Sequence, residues 1–435
     1  MKKYLFFIFS FIVSSNMLDA QRPIITKWNT NINNDNSTQI LINTSGAYNY
    51  SWQSISNPSQ TGSGTGNDGL TTINFPSPGI YSLQIQPVSI FKFYFMGTGY
   101  PNVTNNVKLI ELSQWGDVNW NTDLSGLFSQ CYNLTISAQD IPDFSGVTNF
   151  MEAFSSCFSL NDIPNAGQWD VSNVTNMNSM FQMSLNFNGN IGSWDTSSVE
   201  QMAQMFSGCY YFNQDIGNWD TSQVTNMNSM FEVTNFFNQD ISGWDVSSVT
   251  NISKMFAGAI EFNQNLGNWN LNSLSSSIEH VAVFSNTAMD CNNYSQTLMG
   301  WSENPNIATG VQLISIGPIY GDFAVPYRNN LITNKGWTFS GDTYDAGCVV
   351  NMETAETVEF STIRVYPNPA TEFIRIESNS GIRSIEIFNA NQKLVKAEKS
   401  SVNQLTIPLS GLPIGVYFIR IQTDIGMESF KLIKK

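Results

Sequence analysis

Asp215 and Asp240 stand 25 residues apart at one position of a repeated phrase, with Asn190 and Asn265 at that position in the flanking copies. Two chemistries suit such a pair. Stacked carboxylate and amide oxygens are hard ligands of the kind calcium accepts. Two carboxylates across a sugar bond can act as acid and base in glycoside hydrolysis. The competing reading is a hydrogen-bonded Asn/Asp ladder that closes strand ends. It is preferred, because the Asn copies dilute the charge and neither an EF-hand loop nor a nonapeptide calcium repeat is present. Identical residues in a regular repeat also serve identical structural roles. Asp215 and Asp240 stay as the only calcium candidates.

Other chemistry is sparse. His280 is the one histidine, and it lacks the partners that catalysis needs. No nucleophile motif, zinc spacing or phosphate loop occurs in the sequence. The expectation is a protein that is not an enzyme, with no cofactor. Five cysteines suit an oxidising compartment, and Cys291 and Cys348 flank one segment and are candidates to pair. Cys131, Cys157 and Cys209 each follow a Phe by three residues, at one repeat position. They read as a buried ladder of small apolar side chains, or as a Cys131–Cys157 bridge with Cys209 free.

The elements that must position these residues are repeats. Trp169, Trp194, Trp219, Trp244 and Trp269 are spaced by 25, each followed by Asp or Asn. Phe128, Phe154, Phe181, Phe206, Phe231, Phe256 and Phe284 mark successive copies, regular in the middle and irregular at the ends, as capping repeats are. A fixed period of this size marks a solenoid whose repeats stack as rungs. Within a rung, Val224, Met227, Met230 and Phe231 fall on one stripe of a short helix, with Asp220 or Ser222 as its cap. The equivalents of Asp220 are Asp143, Asp170, Asp195, Asp245 and Asn270. A short strand is expected at Phe212–Ile216 and its copies, with rungs ~4.8 Å apart. The Trp and Phe positions form the repeat core. The Asn, Gln, Asp, Gly and Ser positions of the strand face make the broad binding surface.

Composition narrows the function classes. Only 12% of the 435 residues are charged, well under the ~25% of an average soluble domain, while 13% are aromatic. Net charge is −15, and Lys254 is the only basic residue between Lys108 and Arg328. Such a body is a poor ligand for nucleic acid or anionic lipid. From residue 361 the balance turns mildly basic.

The chain ends carry addresses. Lys2 and Lys3, the apolar stretch Leu5 to Val13 and Leu18-Asp19-Ala20 read as a secretory signal ending at residue 20, and no apolar run is long enough to span a membrane. Residues 21–100 alternate in strand fashion at 48–52, 81–85 and 91–95, with the Gly/Ser stretch 60–69 as a loop, and fit a small β-sandwich. The last 75 residues show strand patterns at 373–377, 382–388, 405–409 and 415–422.

The phrase from Met205 to Phe231 resembles the BspA-like leucine-rich-repeat surface proteins of bacteria, over roughly residues 101–350. Residues 21–100 resemble the immunoglobulin-like leader found before such repeats. Tyr366-Pro367-Asn368-Pro369, Gly415 and Tyr417 within the phrase Gly415–Arg420, and the basic close at Lys434 and Lys435 resemble the C-terminal sorting domain of the type IX secretion system of the Bacteroidetes. The resemblance implies export to the periplasm, passage across the outer membrane by the type IX machinery, and an adhesive role. The expected organisation is multidomain. A signal peptide (1–20) precedes an immunoglobulin-like β domain (21–100). An α+β leucine-rich-repeat-like solenoid (101–290) and its cap (291–350) follow. A linker (351–360) leads to a β-sandwich sorting domain (361–435). The expected function is binding of an unknown protein or glycan ligand at the cell surface. A polysaccharide-acting hydrolase using repeat-face carboxylates, and a purely structural spacer, are the alternatives.

Overall fold

The structure is a computed structural model that describes residues 21–32, 34–95, 105–349, 363–366, 370–378, 381–389, 393–400, 402–423 and 427–435. The signal segment 1–20, the linker 351–360 and Pro367, Asn368 and Pro369 lie outside the described residues. The chain forms two compact units, 1–350 and 351–435. It is β-rich, with several small sheets and few helices.

The first unit opens with strands β1 (Ile24–Asn29), β2 (Gln39–Ser45), β3 (Tyr48–Ser54), β4 (Thr61–Gly66), β5 (Gly69–Asn74), β6 (Ile80–Pro87) and β7 (Lys92–Phe93). Alternation drives them: Ile24, Trp28, Ile40, Ile42, Leu83 and Ile85 turn inward while their neighbours meet solvent. The stretch 60–69, expected as a loop, forms β4 and its turn. Its glycines are required by packing, since a Cβ on Gly62 would lie 2.4 Å from the Trp52 indole and one on Gly66 2.0 Å from the Tyr48 ring.

The leader and the first repeat share one sheet. Strand β8 (Leu109–Gln114) pairs with β1, and β9 (Thr135–Ile136), from the first repeat, extends the same sheet in the order β4-β3-β6-β1-β8-β9. Phe93 then packs on Phe128 at 5.7 Å with its ring tilted and Phe95 stacks on it at 6.2 Å, and one hydrophobic core runs from Ile24 to Trp337. The reason is physical. The first rung would otherwise expose its aromatic stack, and the leader covers it.

Among the described residues the repeats contain no α-helix, only a single 3₁₀ turn at Ala166–Gln168, which overturns the helical reading of the apolar stripe. In the rung from residue 227, the N–H groups of Met227, Ser229, Phe231 and Val233 donate to the carbonyls of Asn251, Ser253, Met255 and Ala257 in the next rung, at 2.7–3.0 Å. Those of Met230, Glu232 and Thr234 donate back three residues. Ser229 and Val233 hold φ of 54° and 57°. An α-helix needs every φ negative and every N–H bonded four residues back. Successive tight turns bury the same positions, Val224, Met227, Met230 and Phe231, without one. The ladder between rungs runs through Asp123, Asn149, Asn176, Gln201, Asn226 and Asn251, not through 212–216 where the strand was expected.

The far end of this unit holds the only α-helices among the described residues, α1 (Cys291–Glu303) and α2 (Val325–Lys335). Asp290 caps α1 by accepting the Asn293 N–H, and Gly336 ends α2 at φ 70°. Strands β10 (Glu279–Val281), β11 (Gln312–Ile314) and β13 (Thr338–Ser340) continue the parallel stacking, beside the pair β12 (Ile319–Tyr320) and β14 (Thr343–Tyr344). Cys291 and Cys348 are joined by a disulfide with Cα atoms 6.0 Å apart.

The second unit has two sheets around one core. Strands β15 (Arg364–Tyr366), β16 (Phe373–Glu377) and β19 (Gln404–Pro408) form one, in the order β15-β16-β19. The other runs β18 (Leu394–Lys399), β17 (Ile382–Asn389), β20 (Gly415–Thr423) and β21 (Met427–Lys434). Ile374, Ile376, Ile385, Ile387, Ile419 and Ile421 fill the space between them.

Candidate functional site

The repeat surface is the candidate site, and most of its conspicuous residues are occupied in holding it together. Four of the five column tryptophans are both packing and hydrogen-bond donors, while the Trp169 indole nitrogen is buried without a partner among the described residues. The indole N–H groups of Trp194, Trp219, Trp244 and Trp269 donate to the carbonyls of Ala166, Ile191, Ile216 and Ile241 in the preceding rung, at 2.8–3.2 Å. Their rings stack, as Trp194 on Trp219 at 6.2 Å and 4°. Phe181, Phe206, Phe231 and Phe256 form a second stack at 5.8–5.9 Å, each lying 3.9 Å from a third column, Phe187, Phe212, Phe237 and Phe262. Ring spacings exceed the expected ~4.8 Å because stacked aromatics prefer an offset.

Three Asx ladders run along the rungs. Asp143, Asp170, Asp195, Asp220 and Asp245 each accept the N–H of the Ser two residues on, at 2.9–3.2 Å. They close tight turns and cap no helix. The Ser145 and Ser197 contacts hold the carboxyls of Asp143 and Asp195 below their usual range. Asn149, Asn176, Asn226 and Asn251 repeat the device on the ladder strand.

The calcium candidates belong to the third. Asp215 accepts the Gly217 N–H at 3.0 Å and Asp240 the Ser242 N–H at 2.9 Å, as Asn190 and Asn265 do for Gly192 and Gly267. Carboxylate and amide thus do one job. Among the described residues no three His, Cys, Asp or Glu side chains converge as a metal site.

Asn213, in the expected binding face, is also occupied. Its side-chain oxygen accepts the backbone N–H of Asn238 and the side chain of Gln239 in the next rung, while Asn188, Asn238 and Asn263 repeat the pattern. This asparagine ladder was not expected, since the Asn/Asp ladder closing strand ends was placed at Asn190, Asp215, Asp240 and Asn265. Its signal was the Phe-Asn pair recurring at Phe187, Phe212, Phe237 and Phe262, followed by Gln in the last three copies.

Cys131, Cys157 and Cys209 are free and buried, so no Cys131–Cys157 bridge forms. Burial pushes all three thiols up. The thiols of Cys157 and Cys209 donate to the carbonyls of Phe128 and Phe181. Ser184 and Thr234 do the same to Phe154 and Phe206. Four copies of the position thus carry a small donor, while the buried Ala259 of the next copy fills it with a small apolar side chain. The alternation Cys, Ser, Cys, Thr in the sequence carried that information.

His280 is fully buried on β10, its Nε2 3.1 Å from the Ser275 carbonyl and its Nδ1 without a partner among the described residues. Burial lowers its pKa. A cleft of about 570 Å³ lies between Arg22, Asp117 and Ser145, but Arg22 is already paired with Asp117 at 2.6 Å and Asp140 at 3.6 Å. In the cap, Arg328 donates to both oxygens of Asp342 at 2.8 and 2.9 Å and lies over Tyr320 and Phe339.

In the second unit, Tyr366 lies on β15 and Gly415 opens β20. Tyr417 is buried, and its hydroxyl donates to the Pro413 carbonyl at 2.7 Å. Lys434 donates to the Thr371 carbonyl and the Lys435 N–H to Ala370, so the basic close returns beside the entry of the unit.

No helix among the described residues is long and apolar enough to cross a membrane. No curated protein matches the chain. Residues 122–231 and 186–301 match the family described as Mycoplasma protein of unknown function, DUF285. Residues 364–435 match the secretion system C-terminal sorting domain. Residues 122–301 are thus repeats of the DUF285 type, and residues 364–435 are a sorting domain that assigns the chain to the type IX secretion machinery.

Proposed function

We propose that this is a non-enzymatic, secreted or cell-surface protein of the Bacteroidetes kind. Its residues 1–20 act as a signal peptide, and its leucine-rich-repeat-like solenoid binds protein or glycan partners. The sorting domain supports the destination. The observation that carries the binding role is internal to the repeats. Side chains that hold neighbouring rungs recur almost unchanged, as Phe212-Asn213-Gln214-Asp215 and Phe237-Asn238-Gln239-Asp240 do. The exposed corner just before them varies freely: Phe158-Ser159, Leu185-Asn186, Tyr210-Tyr211, Asn235-Phe236, Ile260-Glu261. A rigid frame with varied, solvent-facing corners is how repeat arrays present recognition surfaces.

The test is a glycan and matrix-protein array probed with the intact protein. Binding of a defined class is expected. Silence across the array, with normal cell adhesion after deletion of residues 122–301, would replace this reading with that of a structural spacer. Mass mapping of the exported protein should show whether residues 361–435 are removed.

A further inference from the structure

The variable corner carries an apolar ridge. Tyr211, Phe236 and Ile260 stand there in three consecutive rungs and are 52%, 46% and 51% exposed. Val233 lies three residues before Phe236, and Met183 holds the Val233 position two rungs earlier. Between residues 110 and 290 six large apolar side chains are exposed; five are these, and the sixth is Ile141. Clustering of this kind marks an interaction surface rather than scattered exposure.

Two observations say what fits it. The Tyr211 and Phe236 rings stack on each other at 5.4 Å and 11°. They therefore turn edges outward, whereas a sugar ring packs on an open aromatic face. The ridge suits apolar side chains of a protein instead. The second observation is charge. Residues 109–327 hold twenty Asp and Glu against one Lys, Lys254, which sits 3.6 Å from Glu232. Glu232 precedes Val233, and Glu261 follows Ile260. This field repels a second copy of the chain and any polyanion, and draws in cations.

We propose that the ridge docks a basic segment of a partner protein that also carries apolar side chains. The proposal rests on the binding reading above and names the partner's chemistry. Charge sets encounter and its salt dependence, while the half-exposed rings and Ile260 supply the anchors that set dissociation.

The experiment uses the intact protein and three labelled peptides of equal length: alternating Lys/Leu, alternating Glu/Leu, and polylysine. Only the Lys/Leu peptide should bind well, more weakly as salt rises. The variant Y211S/F236S/I260S should weaken it at least about tenfold with the salt slope kept, and should change polylysine binding less than about twofold. A second variant, E232Q/E261Q, leaves the ridge intact and guards against misfolding of the first. It should flatten the salt slope and weaken binding severalfold at low salt only. Equal affinity of wild type and both variants, or Glu/Leu binding as strong as Lys/Leu, would overturn the proposal. Array binding to glycans alone would overturn it while leaving the binding reading intact; binding to nothing would overturn both.

Discussion

The repeats and the sorting domain are both β-rich, yet they spend their backbone hydrogen bonds differently. In the sorting domain, β17 and β20 pair in unbroken register from Ser384 to Asn389, and Ile385, Ile387, Ile419 and Ile421 alternate inward. Local pattern and local structure coincide there. In the repeats, alternate N–H groups leave for the next rung and the others close tight turns by bonding three residues back. The same apolar spacing that suggests a helix is met by a chain that turns left-handed at Ser229 and Val233. Local periodicity shows which side chains are buried in both regions. It shows the backbone path only where bonds and burial share a period.

That contrast is sharpest at the ring stacks. Trp219→Ala should cost about 3–5 kcal/mol, since it opens a cavity between two neighbours and leaves the Ile191 carbonyl short of a donor. Trp219→Phe keeps a ring and should lose only about 1–2 kcal/mol. A Trp219→Phe midpoint in urea equal to that of the wild type would show that the indole N–H contributes nothing, and that the stack is held by packing alone.

The asparagine ladder comes next. Asn238→Leu strands the Asn263 N–H and the Gln264 amide and should cost about 1–3 kcal/mol. The change is an exposed one, so an unmoved unfolding midpoint would mean that water replaces the ladder.

Acid should reach the end of the repeats through His280. Its folded pKa lies below the ordinary value of 6.5 because it is buried. The unfolded chain therefore binds its proton first. Stability is complete above that ordinary value and falls as pH drops from there toward the folded pKa. His280→Gln should flatten the urea midpoint between pH 7 and 5; an unchanged slope would place the acid sensitivity elsewhere.

The smallest effects concern positions that tolerate exchange. Val233 is β-branched at positive φ, where Gly208 and Gly258 stand in the neighbouring rungs. Val233→Gly should be neutral or stabilising by up to ~1 kcal/mol. Cys209→Ser should change stability by less than ~1 kcal/mol, because Ser184 already serves at that position. A large loss at Cys209 would show that thiol volume, not the donor, matters there.

Much of the fold was legible because repetition exposes burial. Trp219, Phe231, Met227 and Ile216 are core in every copy, and the short strands of residues 373–423 announce themselves by alternation. Strand β18 escaped notice because LVKAEK is an edge strand, mostly solvent-facing and marked by lysines, as edges are. The candidate site was less legible. Asn213 and Gln214 look like free polar surface in sequence, and only their partners in the adjacent rung show that they are spent.

The sequence alone determined the period, the buried columns and the secretion address, because each is written in residue types at fixed intervals. Tertiary structure decided where the backbone bonds go, that residues 21–95 seal the first rung, and which polar groups stay free. Those outcomes depend on neighbours that meet only when one rung lies on the next. A hydrogen bond or an exposed ridge spanning 25 residues has no local signature.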